Sequence, residues 1–179
     1  MPNESPPVRA DVRRLPTAGA AEIAALASLL VDCVEGGASV GFMQPIDVAR
    51  AAAYWRGVAA AVVRGERALL VADNGGRGIV GTVQLVLAQP ENQPHRADIS
   101  KMLVRRSARR AGVGAALMRA AESVARDAGK SLLVLDTASA DAERLYERLG
   151  WQRCGTVPGF ALLPQGGLCD TTYFYRVLG

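Results

Sequence analysis

The stretch ADISKMLVRRSARRAGVGAALM, residues 97–118, decides the fold of this chain. It begins with a predicted strand at residues 97–104, continues through a basic loop, and ends in a segment with helical periodicity. Gly112 and Gly114 stand where the helix is predicted to begin, and glycine lets a ligand approach the backbone closely. The first turn of a helix offers unpaired N–H groups and the positive end of the helix dipole. The stretch therefore predicts an anion-binding site, to which Arg109 and Arg110 add positive charge.

The segments that follow extend this unit into a strand–helix–strand motif. Residues 112–129 form the clearest predicted helix. Glu122 and Arg126 are predicted to pair on its solvent side. Residues 131–137 are predicted as a buried strand, so we expect a right-handed parallel crossover over residues 98–136. The predicted apolar stripe of the helix consists of Val113, Leu117, Ala121, Val124 and Ala128.

The rest of the chain alternates strand and helix patterns within one predicted domain, residues 8–179, after a loose tail at 1–7. Asp47 is a candidate N-cap. The order β-α-α-β-β-β-α-β-α-β-β favours an α/β (α+β) fold, with one mixed, mainly antiparallel sheet of six to seven strands and four flanking helices. The other predicted helices are 20–34, 48–63 and 140–150, and the other predicted strands are 8–15, 67–73, 78–88, 97–104, 151–157 and 171–178.

Composition narrows the function classes. With 179 residues and a formal charge of +4, the chain is typical of one globular domain. An odd number of cysteines without CxxC spacing (Cys33, Cys154, Cys169) argues against a metal site and a disulfide framework. No apolar run is long enough to span a bilayer, and the start lacks a signal segment, so a cytoplasmic location is expected. Basic residues concentrate at 105–110 without interleaved aromatics, which argues against nucleic-acid binding.

Two motifs resemble those of the GNAT N-acetyltransferase superfamily. They are R-x-x-G-x-G at residues 109–114 and A-x-x-L-Y-x-x-x-G-W at residues 142–151. In that superfamily the first motif binds the pyrophosphate of coenzyme A, and the strand before it pairs with the pantetheine arm. The resemblance implies an acyltransferase whose cofactor is acetyl-coenzyme A. The cofactor-binding residues that it implies are Met102, Leu103, Val104, Arg109, Arg110, Ala111, Gly112, Val113, Gly114, Ser139 and Ala142.

Two of these positions depart from the family pattern. Arg110 stands where the superfamily commonly has glycine, which implies a stiffer and more basic loop. Ser139 stands where many members have an asparagine that contacts the cofactor.

Acyl transfer to an amine needs a neutral amine, a donor for the developing oxyanion and a proton for the leaving thiolate. Asp136 ends a predicted parallel strand, at the sheet edge where α/β proteins place ligands. Asp98 begins the cofactor strand, where some superfamily members keep a glutamate. Either carboxylate could hold the ammonium group and accept its proton. The resemblance places Tyr146 near the sulfur, where its hydroxyl could protonate the thiolate, and the backbone of residues 102–104 could supply the oxyanion donor.

The identity of the acceptor stays open between several alternatives. The stretches at 36–43, at 135–137 and near the C-terminus resemble the branch of the superfamily that gives resistance to the β-lactam toxin tabtoxin. This implies a small-molecule amine, such as a β-lactam toxin or antibiotic, as acceptor. A protein or peptide N-acetyltransferase and a non-catalytic acyl-coenzyme A sensor are the alternatives, and the chain could be a monomer or homodimer. Candidate acceptor-binding residues are Gly36, Gly37, Ser39, Phe42 and Trp55.

Overall fold

The computed structural model describes residues 10–75 and 78–179. Within them the chain forms seven strands and four α-helices in the predicted order. A turn of 3-10 helix at Arg106–Ala108 precedes the third α-helix. The predicted tail at 1–7, the first two residues of the predicted strand 8–15 and the tip of the predicted turn at 76–77 lie outside the described residues. The elements are β1 Asp11–Leu15, α1 Ala20–Glu35, α2 Val48–Val63, β2 Arg67–Asp73, β3 Ile79–Val86, β4 Arg96–Val104, α3 Val113–Asp127, β5 Leu132–Thr137, α4 Ala140–Arg148, β6 Gln152–Leu162 and β7 Leu168–Val177.

The strands form one mixed sheet in the order β1-β2-β3-β4-β5-β7-β6. The pairing of β4 with β5 is parallel, as predicted, and the other neighbouring strands in this order are antiparallel. The mainly antiparallel α/β fold is therefore confirmed. The last two strands are longer than predicted, because they continue as a hairpin through the turn at 163–167.

The two central strands separate part of the way along their length. The parallel pairing runs from Arg96–Leu132 to Asp98–Val134, whereas β4 continues to Val104 and β5 to Thr137. On its other side β4 contains a bulge, since Thr82 faces Leu103 while Gln84 faces Ser100. Lys101 lies in the bulge with φ +50°. One edge of β4 is thus left without a strand partner beyond Asp98.

Helices cover both faces of the sheet. Alternate residues of β2 divide between two hydrophobic cores: Leu70 packs on the α3 side, and Leu69 packs on the side of α1 and α2. A glycine on β3 brings α3 close to the sheet, because a Cβ at Gly81 would lie 2.9 Å from both Leu117 Cδ1 and Val113 Cγ1. This contact fixes the height of the α3 N-terminus above the sheet. Among the described residues, no helix is long and apolar enough to cross a bilayer.

The buried face of α3 differs in part from the predicted stripe. Val113, Leu117 and Ala121 are buried as predicted, but Val124 is only half-buried and Ala128 is exposed. Met118 and Ala125 are buried instead.

The predicted solvent-side position of Glu122 is also wrong. Its side chain is only 9% exposed, and it accepts a hydrogen bond of 3.0 Å from Trp151 Nε1. It does pair with Arg126, at 3.8 Å. The residues that follow α4 cover this side of α3, and a pattern within the helix alone could not reveal that cover.

Candidate active site

A cleft of about 1380 Å³ opens where β4 and β5 separate. Its walls come from the ends of these two strands, the start of α3, one side of α4, the loop at 36–41 and the β6–β7 hairpin. The predicted site residues can be located relative to this cleft.

The N-terminus of α3 opens into the cleft without a side-chain cap. Its N-cap is Gly112, with φ +80°, a conformation that glycine adopts without strain. By contrast, the side chain of Asp47 caps α2 and that of Ser139 caps α4. The first-turn amides of α3 have no acceptor inside the helix, so they are available to an anion in the cleft. Val113 and Gly114 border the cleft at this point.

The four arginines of the basic loop divide into two pairs. Arg106 points to α1, where its Nε lies 3.0 Å from Asp32 Oδ1, and Arg105 lies 3.4 Å from Ser28 Oγ. Arg106 also borders the cleft, but its guanidinium pairs with Asp32, whereas Arg109 and Arg110 border the cleft beside the α3 N-terminus. The predicted positive charge at the anion site therefore comes from the second pair.

The conformation of the second pair is unusual. Arg110 has φ +63°, in the left-handed region that favours glycine. The superfamily's preference for glycine at this position thus has a backbone reason. Arg109 is held by a hydrogen bond of 3.3 Å from its Nε to the carbonyl of Val104.

The two glycines of the predicted anion site serve different purposes. Gly112 supplies the left-handed turn. Gly114 lets two helices approach each other, because a Cβ there would lie 3.0 Å from Leu145 Cδ2 of α4. Three features of the structure fit a pyrophosphate here. The first-turn amides of α3 have no side-chain cap, two guanidinium groups border them, and the N-cap residue has no side chain.

Most of the other predicted cofactor residues border the same cleft. Ala111 is not among the bordering residues. Ser139 borders the cleft, but its hydroxyl oxygen accepts a hydrogen bond of 3.3 Å from the Ala142 N–H and caps α4. The predicted cofactor residues on β4 and α4 that border the cleft are Met102, Leu103, Val104 and Ala142.

Tyr146 belongs to both the hydrophobic core and the cleft. It is 4% exposed, and its ring lies 6.0 Å from the ring of Trp151 and 5.8 Å from that of Phe174. Burial, with a smaller contribution from the charge of Asp136, raises the pKa of Tyr146 well above its ordinary value of 10. Its hydroxyl keeps its proton at neutral pH and can donate a hydrogen bond there.

The two candidate carboxylates occupy different environments. Asp136 borders the cleft, and its Oδ2 accepts a hydrogen bond of 2.7 Å from Thr171 Oγ1. Asp98 is not among the residues that border the cleft; it pairs with Arg96 and accepts a hydrogen bond of 3.2 Å from Gln89 Nε2. The structure thus brings Asp136 and Tyr146 into one cleft and leaves Asp98 outside it.

The acceptor candidates also separate into two groups. Gly36, Gly37 and Ser39 border the cleft in the loop that follows α1. Trp55 is fully buried in the core between α1 and α2, so the prediction that it forms a wall of the pocket needs correction. Phe42 likewise lies outside the cleft border and packs edge-on against Tyr54, with 5.3 Å between ring centroids.

Sequence reasoning missed several polar residues that border the cleft. Lys101 enters it from the β4 bulge, and Thr171 enters it from β7. Arg144 and Arg148 of α4 border it too. A signal for Lys101 was present, since it is one of two lysines in the sequence and directly precedes the apolar end of its strand, Met102–Val104. Among the described residues, no group of three or more His, Cys, Asp or Glu side chains could hold a metal ion.

Comparison with solved structures shows the same fold in several acetyltransferases. The ribosomal-protein-alanine N-acetyltransferase of Brucella melitensis is 23% identical, with a TM-score of 0.76 over 94% of this chain and 99% of that one. The phosphinothricin acetyltransferase of Sinorhizobium meliloti, solved with acetyl-coenzyme A, is 19% identical, with a TM-score of 0.76 over 95% and 89%. A GCN5-related N-acetyltransferase from Kribbella flavida is 23% identical, with a TM-score of 0.77 over 97% and 100%.

The family is shown by the sequence itself. Residues 26–151 match the profile of the acetyltransferase (GNAT) family, and this range includes the anion site, Asp136 and Tyr146. The chain therefore belongs to the GNAT acetyltransferase family, whose acetyl donor is acetyl-coenzyme A.

Proposed function

We propose that the protein transfers the acetyl group of acetyl-coenzyme A to the amine of a small molecule. The observation that carries this proposal is the opening of the uncapped α3 N-terminus into a cleft that also contains Tyr146 and Asp136. When bound, acetyl-coenzyme A supplies an acyl group activated as a thioester.

The cofactor end of the cleft would be formed by α3 and β4. The first-turn amides of α3, with Arg109 and Arg110, would hold the pyrophosphate. The edge of β4 at Met102–Val104 lacks a strand partner on the β5 side, so its backbone groups can hydrogen-bond the pantetheine amides. An N–H of this edge would stabilise the negative charge that develops on the acyl oxygen.

Two side chains would handle the protons. Asp136 would attract the ammonium form of the acceptor and take its proton through water at a carboxylate oxygen, since a neutral amine is needed for attack. Tyr146 would donate its hydroxyl proton or a hydrogen bond to the leaving sulfur. Its raised pKa makes the hydroxyl a weaker acid, which favours a hydrogen bond to the sulfur over complete transfer of the proton. Asp98 stays the weaker candidate for the base, because it lies outside the cleft border.

A small acceptor is favoured by a bridge across one side of the cleft. The Gln44 N–H donates a hydrogen bond of 2.9 Å to the carbonyl of Pro164, and Ser39 Oγ donates one of 3.4 Å to the carbonyl of Leu162. These contacts join the loop after α1 to the β6–β7 hairpin. An extended peptide would need an open groove there, so the bridge argues against a protein substrate.

The narrower resemblance to tabtoxin-resistance acetyltransferases stays a prediction. It suggests detoxification of a β-lactam toxin or antibiotic as the biological role. A cytoplasmic location and a monomeric or homodimeric state also stay predictions.

An amine-panel assay with acetyl-coenzyme A tests the proposal. The panel should contain small amines, β-lactam amino acids and short peptides, and acetylation should be read as a mass increase on a defined nitrogen. Transfer to small amines but not to peptides is expected. Transfer confined to peptides would favour a peptide N-acetyltransferase, and tight cofactor binding without any transfer would favour a sensor.

A further inference from the structure

Lys101 occupies an unusual place in the cleft. It lies in the β4 bulge with φ +50°, and most of its side chain is shielded from solvent. Its Nζ lies 5.7 Å from the centroid of the Tyr54 ring. It also approaches the loop after α1, since a Cβ at Gly41 would lie 3.9 Å from Nζ. The backbone bulge thus directs a cation toward the acceptor side of the cleft.

The Tyr54 ring beneath this cation is held in place by several contacts. Its hydroxyl accepts a hydrogen bond of 3.1 Å from Gln84 Nε2, and Gln84 Oε1 accepts one of 2.7 Å from Arg67. Phe42 packs against it in a T-shaped arrangement, with 5.3 Å between the ring centroids. A cation on a fixed aromatic ring is positioned before a ligand arrives, which lowers the entropy lost on binding.

Within the part of the chain that the structure describes, the ammonium of Lys101 forms no ion pair. Within residues 10–75 and 78–179, no carboxylate lies within 4.0 Å of it. Burial lowers the pKa of Lys101, the charge of Arg67 lowers it further, and the charge of Asp136 opposes both. A partly buried cation of this kind gains stability from an anion that enters the cleft.

The cleft therefore carries opposite charges on two of its walls, Lys101 on β4 and Asp136 at the end of β5. We propose that the acceptor is an amino acid or a related amine with a carboxylate, and that Lys101 binds this carboxylate while the amine faces Asp136. This inference rests on the proposed acetyltransferase function. It adds the acceptor's carboxylate as a recognised group and Lys101 as the residue that binds it.

The test compares matched acceptors that differ only in the carboxylate. The full chain is assayed with acetyl-coenzyme A against free amino acids and the corresponding carboxamides, with acetylation read by mass. The wild-type protein should prefer the free acids by about 10- to 100-fold in kcat/KM, the range expected for a hydrogen bond to a charged group. Lys101→Met should raise KM for the acids by a similar factor. It should leave kcat for the acids, and both kcat and KM for the amides, nearly unchanged.

Two further variants control for charge and folding. Lys101→Arg should restore part of the preference for acids. Arg119→Met removes the same charge from the exposed side of α3, outside the cleft, and should leave the preference intact. The melting temperature and the Kd for acetyl-coenzyme A report whether Lys101→Met is folded. The comparison of acids with amides in the wild-type protein does not depend on the folding of any variant.

The possible outcomes separate this inference from the proposed function. Equal use of acids and amides by the wild-type protein, or an unchanged preference in Lys101→Met, would overturn the role of Lys101 and leave the transferase activity in place. Absence of transfer to both classes, despite cofactor binding, would overturn the proposed function and this inference with it.

Discussion

Arg106 and Asp32 join the cofactor loop to the first helix through two hydrogen bonds to one carboxylate. The Arg106 backbone N–H lies 2.9 Å from Asp32 Oδ2, and its Nε lies 3.0 Å from Oδ1. Gly36 makes room for this arginine, because a Cβ there would lie 2.8 Å from Arg106 Cδ. The loop that leads into α3 is therefore positioned from α1.

Loss of this carboxylate should weaken cofactor binding indirectly. Asp32→Ala removes both hydrogen bonds, so we expect unfolding free energy to fall by about 1–3 kcal/mol and the Kd for acetyl-coenzyme A to rise several-fold. Glu35→Ala is the matched control, since Glu35 lies 3.8 Å from the same arginine and is more exposed. Calorimetry and thermal unfolding measure both effects. Equal effects of the two variants would contradict the role given to Asp32.

The same pair predicts a stability change in acid. Burial alone would raise the pKa of Asp32, but the hydrogen bonds and charge of Arg106 outweigh it and lower the pKa below 3.8. A lowered folded pKa stabilises the protein above the unfolded value, and this stabilisation is lost as pH falls through the folded value. Wild-type unfolding free energy should therefore drop more steeply below about pH 4 than that of Asp32→Asn. If unfolding free energy fell with pH in the same way for both proteins, the lowered pKa of Asp32 would not contribute to stability.

Removal of the Tyr146 hydroxyl should affect turnover rather than cofactor affinity. Tyr146→Phe keeps the ring contacts with Trp151 and Phe174. We expect kcat to fall by about 10- to 1,000-fold, while the Kd for acetyl-coenzyme A changes little. Tyr175→Phe is a control, since that hydroxyl bonds Gln152 on β6. An unchanged kcat in Tyr146→Phe would remove this residue from the mechanism.

The two aspartates should respond differently to the same substitution. Asp136→Asn keeps an oxygen for the Thr171 hydrogen bond but removes the charge that would hold the ammonium. We expect kcat/KM to fall at least about 10-fold. Asp98→Asn should change stability through its pairing with Arg96 and leave kcat/KM close to wild type. The reverse order of effects would place the base at Asp98.

The left-handed conformation of Arg110 predicts opposite effects on stability and affinity. Arg110→Gly should relieve backbone strain and raise the unfolding free energy by up to about 1 kcal/mol. It should also weaken acetyl-coenzyme A binding and reduce its salt dependence, because one guanidinium beside the pyrophosphate is lost. Arg110→Lys keeps both the charge and the strain, so its stability and its affinity should both resemble wild type. Thermal unfolding and calorimetry at two salt concentrations separate these effects.

Local patterns predicted the helices and strands well, because periodicity and capping are local signals. Asp47 caps α2, and α3 begins directly after Gly112, both as predicted. The start of α3 is also the part of the site that short-range chemistry defines, since glycines and arginines next to a helix mark an anion site.

Long-range features could not be read from the sequence. The pairing of β4 with β5 ends at Asp98, and nothing in the local pattern marks that position as the start of a cleft. The same holds for the bulge that directs Lys101 and for the bridge from Gln44 to Pro164. The prediction for Trp55 was wrong in the other direction, because it placed a core residue in the site. An aromatic residue can line a pocket or pack into the core, and Trp55 packs into the core.

Calorimetric titration of the wild-type protein with acetyl-coenzyme A and with S-acetylpantetheine tests the central claim most directly. The two thioesters share the pantetheine arm, but the second lacks the pyrophosphate and the nucleotide. If the α3 N-terminus, Arg109 and Arg110 hold the pyrophosphate, acetyl-coenzyme A should bind at least about 100-fold more tightly. Equal affinities, or no heat with acetyl-coenzyme A, would contradict the account.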